Sequence, residues 1–162
     1  MMATELSADV SDQDIGTKVA VAGHPIHAML IPFPIAFVFA AIGTDALYWL
    51  TGDDFFPRAA LWAAGGAFWM GLLAALTGIV EVLWVAGIRR RGAAWSHGVA
   101  AIMMLSVVGA NWALRLPDAE AAVLPWGAFL SALSLGLVAI AGWLGGKLVF
   151  EHQIGIVVDD GD

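Results

Sequence analysis

Cysteine is missing altogether from this chain of 162 residues. That absence excludes disulfides, thiolate metal sites, cysteine-ligated iron–sulfur clusters and the covalent attachment of c-type haem. Charge is scarce as well: 13% of the residues are Asp, Glu, Lys or Arg, where a soluble domain carries about a quarter. Seven basic residues stand against fourteen acidic ones. Nucleic acid is excluded as a partner, because phosphate contacts need a clustered basic surface. The signatures of catalysis are missing too. The sequence has no Gly-x-Gly-x-x-Gly fingerprint, phosphate loop or nucleophile elbow, and Ser96 beside His97 is an adjacency, not a triad. The helical metal spacings His-Glu-x-x-His and Glu-x-x-His do not occur either. A stand-alone enzyme is not the expectation.

What is present is apolar: 60% of the chain is hydrophobic. Four stretches, residues 28–50, 61–88, 95–114 and 121–148, reach the roughly 20 apolar residues that a membrane-spanning helix needs. Within the first two, Asp45 and Glu81 are the only charges. Loop signals separate the stretches at Thr51-Gly52-Asp53-Asp54, Arg89-Arg90-Arg91-Gly92 and Pro117-Asp118. Trp49, Trp62, Trp112 and Trp126 would mark one membrane boundary and Trp84 and Trp95 the other, while Trp69 and Trp143 would pack between helices. Short loops make successive helices antiparallel neighbours, which predicts an all-α integral membrane protein, a four-helix up-down-up-down bundle over residues 23–152. An acidic tail, 1–22, without the pattern of a signal peptide, and a short tail, 153–162, would flank it. The arginine-rich loop shares a face with both termini, and the excess of positive charge there places that face in the cytoplasm. Gly71 and Ala75, Ala74 and Gly78, and Gly142 and Gly146 form four-residue steps of small residues suited to close helix packing.

The polar residues sort by depth. His24 and His27 open the first helix, His97 begins the third, and His152 follows the fourth. Glu81 lies about 10 Å inside the same face at 1.5 Å of rise per residue. All four histidines and Glu81 would thus share one layer. Asp45 lies about 27 Å further along the first helix than His27, so it cannot join them. Its expected partners are Asn111, Arg58 or Arg115.

An ionisable group inside a membrane is a functional candidate by default. Glu81 must be protonated, paired with an arginine or histidine, or bound to metal. Any one histidine at a membrane boundary is unremarkable, but four in a layer form a candidate metal or cofactor site. Two imidazoles, with His27 and His97 best placed, would hold a b-type haem, Gly23 and Gly98 leaving room for the ring. Alternatively His24, His27, His97, His152 and Glu81 would hold a single ion of iron, copper or zinc. A cofactor-free structural or anchoring subunit fits the tryptophans and glycine-rich helix faces as well. A proton path through Glu81 and Asp45 ranks last, because about 18 Å of apolar helix separates them.

Several of these residues also carry a family resemblance. Gly23-His24-Pro25-Ile26-His27 leads into Ile31-Pro32-Phe33-Pro34-Ile35-Ala36; Asp45, Thr77-Gly78, Glu81 and His97 follow; Gly142-Trp143-Leu144-Gly145-Gly146-Lys147 and His152 close the pattern. The chain resembles a bacterial membrane family catalogued as domain of unknown function 2231. Glu81 stands where that family favours aspartate, and Ala28 where proline is common. The resemblance implies the inner, cytoplasmic membrane of a bacterium. Related architectures are joined to c-type cytochrome or Rieske-type modules, which implies electron transfer with partner proteins. Such fusions favour periplasmic termini, against the cytoplasmic placement that the arginines give.

Overall fold

The computed structural model describes residues 17–152 and 154. Residues 1–16, 153 and 155–162, which hold most of both expected tails, lie outside the described residues.

Four helices are long and apolar enough to cross a membrane: Ile26–Thr51, Phe55–Trp84, Gly92–Arg115 and Val123–Phe150. Only 17 to 28% of the most apolar stretch of each is buried inside the protein. The remaining apolar surface faces outward, which water would not tolerate and lipid does. The protein is an all-α membrane bundle.

The second helix begins at Phe55, six residues before its expected start. Pro57 and Arg58 read as loop residues in the sequence, but proline is tolerated in a first helical turn, where its missing N–H is not needed. The same helix stops at Trp84, short of the expected Ile88. Val85 is extended (φ −101°, ψ 103°), and a separate turn of helix follows at Ala86–Arg89. The first helix carries Pro32 and Pro34, with a junction at Ile31 after a short opening turn, Ile26–Leu30. The fourth opens on an irregular turn, Val123–Gly127, before the regular stretch Ala128–Phe150.

Residues 17–25 belong to the fold. Thr17 is buried, and Ala20–Val21 pairs with His24–Pro25 in a short antiparallel hairpin. Its two turn residues, Ala22 and Gly23, both have positive φ (49° and 75°), the requirement of the tight turns that match strand twist.

The core is made of small residues, with Val38, Ala67, Val108 and Val138 at its centre. Its buried positions repeat along the chain. Val38, Ala41 and Asp45 on the first helix are matched by Val108, Asn111 and Arg115 on the third, each 70 residues later. Ala60, Ala64, Ala67, Gly71 and Ala74 on the second are matched by Gly127, Ser131, Ser134, Val138 and Ala141 on the fourth, each 67 later. The two helical hairpins thus share much of their pattern of buried positions.

Tryptophan placement departs from expectation at three positions, Trp69 among them: expected between helices, it is more than half exposed. Trp112 stacks on Phe68 at 5.6 Å between helices, with Trp69 edge-on to it, so it packs inside the bundle. Trp143, expected between helices, is exposed. The Gly142–Gly146 step lines no close helix contact within the chain either: a Cβ at Gly142 would meet nothing within 4 Å.

Candidate metal centre

The five-residue constellation expected from the sequence is not assembled. Among the described residues no group of three or more His, Asp or Glu side chains comes close enough to hold one ion. Depth along a helix sets a layer but not an azimuth, and the structure brings only His27 and His97 together. Their ring centres lie 6.3 Å apart and their planes are nearly perpendicular.

Each ring is seated in the same way. Nδ1 of His27 is 2.7 Å from the carbonyl oxygen of Ala74, and Nδ1 of His97 is 2.9 Å from that of Ala141. A carbonyl can only accept, so both Nδ1 atoms carry a proton, which leaves Nε2 as the atom able to offer a lone pair. Four residues beyond each carbonyl stands a glycine. A Cβ at Gly78 would come within 2.9 Å of Cε1 of His27, and one at Gly145 within 3.1 Å of Cε1 of His97. These two glycines make the space for the imidazole rings. His27 and His97 themselves occupy equivalent positions of the two hairpins, 70 residues apart.

The other candidates have separate engagements. His24 is exposed, and its Nδ1 donates to the carbonyl of Ala22 across the hairpin turn. Nδ1 of His152 accepts from Nη1 of Arg91 at 3.0 Å, which puts its proton on Nε2, the reverse of the His27 and His97 tautomer. Glu81 accepts the backbone N–H of Lys18 on one oxygen (2.8 Å) and that of Val19 on the other (3.0 Å). It latches the N-terminal segment to the end of the second helix. Glutamine at position 81 keeps one acceptor and presents an NH2 where the second stood. Glu81→Gln is therefore expected to cost about 1–3 kcal/mol locally. Faster hydrogen exchange at the Lys18 and Val19 amides, with no change in metal content, would show this. Loss of metal with unchanged exchange would make Glu81 a ligand after all.

A second polar group lies toward the other ends of the helices. Arg115, Asp45, Asn111 and Ser131 are all at most 3% exposed. The Arg115 guanidinium grips Asp45 with two bonds, Nη1 to Oδ1 at 2.8 Å and Nη2 to Oδ2 at 2.7 Å. Ser131 Oγ donates to Oδ2, and Arg115 Nε donates to Asn111 Oδ1, whose amide in turn donates to Ser131. Of the three partners expected for Asp45, Arg115 takes the role directly and Asn111 joins through it, while Arg58 is exposed. Ser131 was not foreseen. Among the described residues no buried side-chain nitrogen or oxygen lacks a partner, so the group is a closed clamp joining the first, third and fourth helices. Among the described residues the His27–His97 pair, two imidazoles with no third His, Asp or Glu beside them, is the candidate for a metal.

The fit can be tested on distance. Two imidazoles on opposite sides of one ion, each bound at about 2 Å, have ring centres about 6 Å apart, in agreement with the pair. A cavity of about 10 Å³ adjoins Asn111 and Ser131 instead, barely the room that one water needs.

A family model described as predicted membrane protein (DUF2231) matches residues 23–158, and the chain belongs to that family. No curated protein and no solved structure matches it.

Proposed function

We propose that this member of the DUF2231 membrane proteins is a metal-binding redox subunit, its centre, a b-type haem iron or a bare transition-metal ion, held by Nε2 of His27 and His97 near one membrane face. The observation that carries the reading is the matched seating of the two rings. Protein carbonyls fix both tautomers, and such second contacts orient ligands and raise their basicity. When bound, the metal supplies one-electron chemistry; the chain supplies two imidazole donors, a fixed orientation and a half-buried seat between helices. His24, His152 and Glu81 serve the edges of the site, holding the turn, the C-terminal end and the N-terminal segment. Electron transfer with partner proteins in the bacterial inner membrane completes the reading, with the arginine-rich loop and both termini on the cytoplasmic side.

An absorption spectrum of the detergent-solubilised native protein, oxidised and reduced, with elemental analysis of the same sample, tests this. Stoichiometric metal, with or without a reducible Soret band, and its loss in His27→Ala and in His97→Ala, is the expected result. A metal-free native preparation, or retention in both variants, would move the protein to a cofactor-free anchoring role.

A further inference from the structure

We infer that the His27–His97 pair is a two-coordinate site for a single cuprous ion, an assignment that rests on the metal-binding reading and narrows it. The donor set decides against the commoner ions. Zinc takes four ligands, or three and a water, and calcium and magnesium take oxygen ligands. Among the described residues the pair has no third His, Asp or Glu beside it. Imidazole suits copper, and of copper's two states only the d10 monovalent ion is satisfied by two donors in line.

Charge points the same way. The cost of moving an ion out of water grows with the square of its charge, and two imidazoles donate lone pairs but bring no counter-charge. Glu81, a carboxylate at this end of the bundle, has each oxygen committed to a backbone N–H. A monovalent ion therefore meets a much smaller penalty at this site than a divalent one. The shared pattern of the two hairpins adds a geometric argument. His27 and His97 occupy matching positions, each bonded to a matching alanine and backed by a matching glycine. An ion between them would meet the same donor atom, Nε2, from each ring, and a centroid separation of 6.3 Å is the spacing that a two-coordinate centre needs.

Haem iron also takes two axial donors, but the macrocycle needs a flat clearing on the scale of ligand pockets, about 300 Å³ or more. Here the helix backbones at Gly78 and Gly145 lie directly against the rings. That packing favours an ion without a macrocycle.

The test is anaerobic titration of the purified full chain in detergent with Cu(I) against a chromophoric cuprous chelator. Ag(I) serves as a redox-inert second probe and Zn(II) as the divalent comparison. One Cu(I) or Ag(I) per chain, no retained Zn(II), and two nitrogen ligands by X-ray absorption are expected. His27→Ala and His97→Ala should each lose the ion, whereas His24→Ala and His152→Ala, expected to fold alike by circular dichroism, should keep it. A haem-loaded native protein whose Soret band vanishes in the same two variants would overturn the copper assignment and leave the metal-binding reading standing. Three- or four-coordinate copper would overturn the linear site alone. No binding of Cu(I), Ag(I) or Zn(II), with no metal in the native protein, would overturn both.

Discussion

Replacing Arg115 by leucine is expected to destabilise the bundle by about 3–5 kcal/mol, because it strands the Asp45 carboxylate in the interior. The guanidinium supplies two of the three hydrogen bonds that Asp45 receives, and Ser131 supplies the third. Neither water nor another cation replaces it: Arg115 is 0% and Asp45 3% exposed. The double variant Asp45→Leu, Arg115→Leu should recover most of that loss, since an apolar pair of similar volume is often as stable as a buried ion pair. Equilibrium unfolding in mixed detergent micelles measures both. A single variant as stable as wild type would show that the clamp does not hold the helices together.

The second large effect is expected at Gly127. A Cβ there would lie 2.5 Å from the carbonyl oxygen of Ala122 and 2.7 Å from Nη2 of Arg115. The first is backbone and the second is held by Asp45, so neither yields easily. Gly127→Ala is expected to cost about 1–3 kcal/mol, the usual penalty for overpacking, and to loosen the Arg115 clamp with it. Gly136→Ala makes the contrast, because nothing lies within 4 Å of a Cβ at that helical position. There the smaller unfolded-state entropy should raise stability by about 0.4–1 kcal/mol. Equal losses in the two variants would remove the steric explanation.

The helices were legible because lipid imposes a simple rule: about 20 residues with almost no charge. Their ends were less so. Phe55–Trp84 starts ahead of a proline and stops before an apolar residue, Val85, and neither choice is written in hydropathy. For the polar residues, rise per residue gave depth, and the structure does set His27 beside His97 and Asp45 against Arg115 instead. Azimuth was the missing coordinate. It depends on which faces of the helices meet, and the small residues that decide this occur on several faces. Glu81 escaped for a different reason: its partners are backbone N–H groups of Lys18 and Val19, and backbone donors leave no trace in residue type. The repeat was hidden as well. Its matched positions hold Asp45 against Arg115 and Ala41 against Asn111, so equivalence of place comes without likeness of side chain.

That mismatch within the repeat bears on how the chain is assembled. Two copies of the first hairpin meeting in the bilayer would set Asp45 against Asp45, and two copies of the second would set Arg115 against Arg115. Only a first hairpin with a second matches an acid to a cation, and an arginine left without its counter-charge is costly in hydrocarbon. Because Asp45 is synthesised 70 residues ahead of Arg115, the nascent first hairpin carries an acid whose counter-charge has not yet been made. The hairpin that follows it out of the ribosome carries the matching cation, so the charge match between the two hairpins rests on one pair of side chains.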